Sequence, residues 1–184
     1  HHGAFDISFL RAIPNLQLLA PADEAELKNM LHYAAAATGP VAIRYPRGTS
    51  ACSLGSGLRH PILQTGKAEV VKEGSQISVW ALGHTLGAAA RAVEELDKQG
   101  ISARLVNPRF IRPFDTELLA DSVRRNLPIV TVEENALPGG FGSLVAEHAM
   151  ELGHTAGILR IGLPDEFVPH GSQEELRHML KIDA

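Results

Sequence analysis

From residue 67 onward, short apolar runs of strand character alternate with longer segments of helical periodicity, and this alternation permits few folds. Strands and helices that alternate at this spacing form right-handed βαβ units. We therefore predict an α/β fold with a mostly parallel sheet and helices on both faces. The first strand is expected at an antiparallel edge, because a tight turn joins it to the second. The predicted strands are 68–72, 77–82, 103–106, 129–133 and 158–161, and the helices are 85–99, 116–126, 142–152 and a last one opened by the capping box Ser172–Glu175.

A shorter version of the pattern occupies the first fifty residues, with strands at 16–20 and 41–45 around one amphipathic helix. That helix begins at Asp23, and Glu26 follows at the spacing of a capping box. Between residues 49 and 66, Ser, Gly and Pro are abundant and periodicity is lost, which is typical of an interdomain linker. We predict one domain ending near residue 50, a linker at 51–66 and a second domain at 67–184.

Composition excludes several classes of function. The 184 residues carry a net charge of −4 with scattered basic residues, which argues against binding to nucleic acid or to an anionic membrane surface. The single cysteine, Cys52, permits no internal disulfide and favours a reducing, cytosolic compartment. No Cys/His cluster has metal-ligand spacing, and no apolar run is long enough to span a bilayer, so we expect neither structural zinc nor a membrane partner.

Two arginines, Arg44 and Arg47, follow a predicted strand. Open α/β sheets bind ligands at the carboxyl ends of their strands, and a guanidinium pairs well with two oxygens of a phosphate. Gly48 next to them lets the backbone approach a ligand closely. From spacing alone, the alternative that both arginines are solvated surface charges remains open.

Histidines open the chain at positions 1 and 2, and an imidazole is suited to proton transfer near neutral pH. A terminal pair of histidines is also typical of an expression tag. The other histidines, His84 among them, show no metal-binding spacing, and most of them are expected at the surface or at helix caps.

The sequence Glu133-Glu134-Asn135 ends a predicted strand. Adjacent strand residues point to opposite faces, so we expect that the two carboxylates do not share a proton or a metal ion. Gly139-Gly140-Phe141-Gly142 then opens a helix. Such a turn can bind an anion through bare N–H groups, but close packing of the helix on a strand explains the glycines equally well.

Several motifs resemble, in order and spacing, the 1-deoxy-D-xylulose-5-phosphate synthase family of the transketolase superfamily. Single motifs such as Gly139–Gly142 are also similar to transketolases and to the beta subunits of 2-oxo acid dehydrogenases, whereas the combination points to the synthase family. The motifs are His1–Asp6, Ile13–Asn15, Ala20–Glu24, Gly39–Gly48, Gly66–Glu69, Asn107–Phe110, Arg112–Asp115, Val132–Asn135, Gly139–Gly142, Gly162–Asp165 and His170-Gly171.

The resemblance implies a homodimeric, cytoplasmic or plastid enzyme that uses thiamine diphosphate and Mg²⁺. It would condense pyruvate with D-glyceraldehyde 3-phosphate and release CO₂, and so supply isoprenoid precursors. By carry-over, His1 is the active-site histidine that assists proton transfer, and Arg47 binds the substrate phosphate. His1 then reads as native, because the family continues from a histidine into Gly-Ala-Phe-Asp.

The resemblance also implies that residues 1–50 are the tail of a pyrimidine-binding domain and residues 67–184 a transketolase C-terminal domain. The family's motifs for Mg²⁺, the diphosphate and the aminopyrimidine ring do not occur in this sequence. We therefore expect the chain to need an upstream part of the same enzyme and to be inactive alone. A non-catalytic assembly or dimerisation fragment remains the alternative from another class.

Overall fold

The computed structural model describes residues 3–47, 63–180 and 182, so most of the predicted linker at 51–66 lies outside the described residues. The helices are α1 (Asp6–Leu10), α2 (Glu24–Ala36), α3 (Thr85–Lys98), α4 (Thr116–Arg124), α5 (Phe141–Glu151) and α6 (Gln173–Met179). The strands are β1 (Gln17–Leu19), β2 (Val41–Ile43), β3 (Glu69–Lys72), β4 (Ile77–Ala81), β5 (Ala103–Asn107), β6 (Phe110–Arg112), β7 (Ile129–Ala136) and β8 (Ile158–Leu163).

The larger sheet has five strands in the order β3-β5-β4-β7-β8. All neighbours are parallel except β3, which runs antiparallel to β5 at the edge. The mostly parallel sheet with an antiparallel edge is therefore confirmed, but β3 does not pair with β4, which follows it. The segment that joins β3 to β4 instead passes the start of β5. There the N–H groups of Ser75 and Gln76 both donate to the carbonyl of Ser102.

Apolar side chains cover both faces of this sheet, as β4 illustrates. Trp80 packs in a core with residues of α1, α4 and α5, whereas Val79 and Ala81 pack in a second core with residues of α3. Successive strand residues point to opposite faces, so α3 lies on one face and the other three helices lie on the other. The prediction of helices on both faces is confirmed.

A second sheet of three strands, in the order β2-β1-β6, joins the N-terminal segment to the part of the chain between β5 and α4. β1 is parallel to β2 and antiparallel to β6. The sequence did not indicate β6, because Pro108 and Pro113 flank it and proline favours loops. This strand forms because β1 offers it an edge to pair with.

A buried carboxylate, Glu26, links α2 to the second domain. Asp23 accepts a hydrogen bond from Glu26 N at 2.9 Å, so it caps α2 as predicted. The Glu26 side chain does not return to Asp23 to complete a capping box. It is 1 % exposed and accepts hydrogen bonds from Ala22 N at 2.7 Å and Arg109 Nε at 2.8 Å.

The glycine turn before α5 is occupied by the protein's own carboxylate. Glu133 accepts hydrogen bonds from the backbone N–H groups of Phe141 and Gly142, both at 2.7 Å. A Cβ at Gly140 would lie 2.4 Å from Glu133 Oε2, so only glycine fits there. Of the two interpretations of this turn, the structure supports close packing, because Glu133 already uses the N–H groups that an external anion would need.

Burial raises the pKa of Glu133 to about 7, although the N–H groups of Gly142 and Phe141 and the charges of Arg160 and Arg44 act in the opposite direction. The folded protein therefore keeps this proton up to about pH 7, whereas the unfolded chain releases it near the ordinary value of 4.5. Between these values the folded state binds more protons. Consequently, the free energy of unfolding falls as the pH rises through this window.

We predict that Glu133→Gln removes this pH dependence. The free energy of unfolding of the variant minus that of the wild type should rise by roughly 3 kcal/mol between pH 4.5 and pH 7.5. This change does not depend on the absolute stability of the variant. Urea unfolding followed by the fluorescence of Trp80, the single tryptophan and fully buried, measures the difference. Glu94→Gln on the exposed face of α3 is the control and should give a constant difference. If the free energy of unfolding of the wild type and of Glu133→Gln changed in parallel with pH, the raised pKa of Glu133 would be contradicted.

Candidate functional site

Polar side chains from four elements meet at the carboxyl end of β7 around Glu134. Its carboxylate lies 2.9 Å from His84 Nε2 and accepts a hydrogen bond from Arg177 Nε at 2.7 Å. Its backbone carbonyl accepts a hydrogen bond from an Arg44 terminal nitrogen at 2.7 Å. We call these four residues, Arg44, His84, Glu134 and Arg177, the Glu134 cluster.

Strand ends bring the cluster together. Arg44 directly follows β2, and His84 precedes α3 after the turn that ends β4. Gly83 in that turn has φ +61°, and a Cβ there would lie 3.3 Å from both Ala20 Cβ and Pro21 O. The turn therefore packs closely against the segment after β1. This is the edge of the sheets at which open α/β folds bind ligands, as predicted for Arg44.

Burial of Glu134 on its own would raise the pKa of the carboxyl group. The hydrogen bonds and charges of His84 and Arg177 outweigh burial and lower the pKa of Glu134 to about 2. The side chain is thus an anion held between two nitrogen donors. Glu133, the preceding residue, faces α5 and has its pKa shifted upwards, so the expectation that the two carboxylates do not act as a pair agrees with the geometry.

The two arginines predicted from the sequence lie in different environments. Arg44 is half-buried and bonded to β7, whereas Arg47 is exposed near the end of the first described segment. The neighbouring Gly48 lies outside the described residues.

The segment that follows His1 is also tied to the end of β7. Ala136 N donates to the carbonyl of Ala4 at 2.6 Å, and Ile7 N donates to Asn135 Oδ1 at 3.0 Å. Asn135 is fully buried, and its amide nitrogen donates to Ser8 Oγ at 2.9 Å. His1 and His2 themselves lie outside the described residues. Residues 134–136 thus contact both segments that the motifs mark, the one after His1 and the one before Arg47.

The sequence did not predict the contacts of three residues in this region. His84 was expected at the surface or at a cap; it does occupy the N-cap position of α3, but its side chain pairs with Glu134 and is 19 % exposed. Arg177 and Asn135 were assigned no role. Their partners are 43 residues away in the case of Arg177 and over 120 residues away in the case of Asn135, so no local spacing could indicate these contacts.

Within residues 3–47 and 63–180, no group of three or more His, Cys, Asp or Glu side chains is arranged to hold a metal ion. Across the same residues, no helix combines the length and the apolar character needed to cross a membrane.

Family models match nearly the whole chain. The model of the transketolase C-terminal domain matches residues 66–184, and the model of the transketolase pyrimidine binding domain matches residues 1–51. The first match alone covers more than half of the chain.

Curated relatives agree with these matches. The chain is 46 % identical over 183 residues to a 1-deoxy-D-xylulose-5-phosphate synthase of Acidobacterium capsulatum, covering 96 % of this chain and 28 % of the relative. It is 46 % identical over 191 residues to the synthase of Thermomicrobium roseum, covering 100 % and 29 %. For the synthase of Desulfotalea psychrophila the identity is 48 % over 181 residues, covering 96 % and 28 %. The resemblance to this family is confirmed, and the chain spans less than a third of the length of these relatives.

Two solved structures share the fold. One is described as a split gene transketolase, inactive beta4 tetramer, with a TM-score of 0.88 and 32 % identity, covering 98 % of this chain and 58 % of that one. The other is a transketolase from Leishmania mexicana, with a TM-score of 0.73 and 18 % identity, covering 98 % and 25 %, and it supports the fold alone. By the family models, the relatives and the fold together, this chain belongs to the transketolase family.

Proposed function

We propose that the chain is the C-terminal part of a synthase that condenses pyruvate with D-glyceraldehyde 3-phosphate to 1-deoxy-D-xylulose 5-phosphate and CO₂. The observation that carries the proposal is the convergence at residues 134–136 of the two segments marked by the synthase motifs. The names of the relatives support the same activity. In this proposal residues 1–50 end the pyrimidine-binding domain, 51–66 are the linker and 67–184 form the C-terminal domain.

His1 and Arg47 have separate roles in this proposal. His1 assists proton transfer at the reacting carbons, for which an imidazole is suited near neutral pH. Arg47 binds the phosphate of glyceraldehyde 3-phosphate through charge-assisted hydrogen bonds. The exposure of residue 47 supports its role, since a phosphate arriving from solvent can reach an exposed residue.

Thiamine diphosphate and Mg²⁺ are the cofactors implied by the family, and the described residues do not fit the diphosphate and its metal ion. They contain no cluster of metal-ligating side chains, and the glycine turn before α5 already binds Glu133. We therefore assign the cofactor site to an upstream part of the same enzyme. Thiamine diphosphate, when bound there, supplies the carbanion chemistry. The remaining proposed partners are a second copy in a homodimer and the two substrates, in the cytoplasm or a plastid.

One observation favours the alternative of a non-catalytic assembly fragment. The structure with a TM-score of 0.88 is described as an inactive tetramer of a beta chain. A chain covering this region can therefore assemble in that protein without activity. The two candidates differ in whether the complete protein that contains this chain binds the cofactor.

We predict that Arg47→Ala in the complete enzyme raises the KM for glyceraldehyde 3-phosphate about tenfold to a hundredfold and leaves the KM for pyruvate unchanged. Loss of a charged hydrogen-bonding partner costs roughly 1.5 to 3 kcal/mol, which corresponds to this range. Steady-state kinetics with each substrate varied in turn measures both constants. Arg91→Ala, which removes an exposed arginine of α3, is the control and should change neither. Equal effects of Arg47→Ala on both substrates would remove the assignment.

Native mass spectrometry separates the synthase from the assembly fragment. We expect the complete protein to retain the mass of thiamine diphosphate and this chain alone to retain none, because the described residues lack a cradle for the diphosphate. A complete protein without cofactor would favour the assembly fragment. Cofactor bound to this chain alone would contradict our assignment of the cofactor site to an upstream part.

A further inference from the structure

Arg44 and Arg47 lie in different environments, although both follow β2 and the sequence offers both as candidates for binding a phosphate. A guanidinium that binds a substrate phosphate has to present its N–H groups to the ligand. A terminal nitrogen of Arg44 instead donates to the carbonyl of Glu134 at 2.7 Å. This hydrogen bond places the Arg44 guanidinium against β7.

The acceptor of this hydrogen bond is itself held firmly. His84 and Arg177 bind the Glu134 carboxylate at 2.9 Å and 2.7 Å from two other elements. The next residue, Asn135, is fully buried and hydrogen-bonded to α1. Groups fixed on both sides leave the Glu134 carbonyl little freedom to move, so it can serve as an anchor.

The backbone of Arg44 is held from the opposite side. Arg44 N donates to the carbonyl of Leu19 at 2.8 Å, which continues the pairing of β2 with β1 beyond Ile43. Arg44 is thus fixed at its backbone by β1 and at its guanidinium by β7. Arg47 lies only three residues further along the chain, and a short chain restricts how far its side chain can move from the anchored position.

We propose that Arg44 is a positioning residue that anchors the segment 44–47 to the end of β7, so that Arg47 meets the acceptor phosphate. This inference rests on the proposed function, and it assigns no substrate contact to Arg44. Loss of the anchor should weaken the binding of glyceraldehyde 3-phosphate only through Arg47. The binding of pyruvate should be unaffected.

A double-mutant cycle in the complete enzyme tests the proposal. We expect Arg44→Ala to raise the KM for glyceraldehyde 3-phosphate about tenfold, with the KM for pyruvate unchanged. The double variant Arg44→Ala/Arg47→Ala should be no worse than Arg47→Ala, because both changes act through one contact. Multiplied effects in the double variant would make Arg44 a separate phosphate ligand and would overturn the proposal.

Glu134→Gln separates an effect of charge from an effect of anchoring, because the two predict opposite changes in the KM for glyceraldehyde 3-phosphate. By electrostatics alone, removing a negative charge from the protein should favour an anionic substrate and so lower the KM for glyceraldehyde 3-phosphate. A weakened anchor should raise it, by a few-fold, because the amide loses the charge-assisted pairing with Arg177. A lowered KM would count against the anchor.

Trypsin cleavage after Arg47 measures the anchoring without any assay of activity. In the complete protein under native conditions, Arg44→Ala should speed this cleavage about tenfold, because a segment released from β7 opens more often. Arg91→Ala is the control and should leave the rate unchanged. An unchanged rate in Arg44→Ala would overturn the inference. If the wild-type enzyme forms no product from pyruvate and glyceraldehyde 3-phosphate, the proposed function fails, while this cleavage still decides whether Arg44 is an anchor.

Discussion

The carboxylate of Glu26, almost completely buried, is the contact on which the position of α2 and β1 relative to the rest of the chain depends. Arg109 donates to it from the second domain, Asn107 donates at 3.0 and 3.2 Å, and Ala22 N completes the set. Removing one partner of such a buried ion pair typically costs about 3 to 5 kcal/mol, because the remaining charge has no compensation. The network fixes α2 against the chain between β5 and β6, and so places β1 where β6 can pair with it.

The position of the candidate site follows from this junction. Because β1 lies between β6 and β2, the residues after β2 are carried to the carboxyl end of β7. There residues 134–136 are hydrogen-bonded to Arg44, which follows β2, and to Ala4 and Ile7 near the start of the chain. The residues matched by the transketolase C-terminal domain model thus hold groups of the segment matched by the pyrimidine binding domain model.

Much of this could be predicted from the sequence, because it depends on local patterns. The alternation of strands and helices predicted the parallel sheet, and the position of Arg44 after a strand predicted its place at the sheet edge. The features that the sequence did not predict depend on contacts between residues far apart in the chain. Strand β6 forms by pairing with β1, and the Glu26 side chain binds Arg109 instead of the end of its own helix. His84 likewise has local features of a helix cap, and only the fold brings Glu134 within 2.9 Å of it.

The most direct test of the proposed activity is to follow the carbon atoms of pyruvate labelled with ¹³C at its carbonyl carbon. The complete enzyme is incubated with this substrate, D-glyceraldehyde 3-phosphate, thiamine diphosphate and Mg²⁺, and the products are observed by NMR. We predict label in the ketone carbon of 1-deoxy-D-xylulose 5-phosphate, with one CO₂ released from the unlabelled carboxylate for each molecule formed. Label that never reaches a five-carbon product, or no consumption of pyruvate, would contradict the proposed activity.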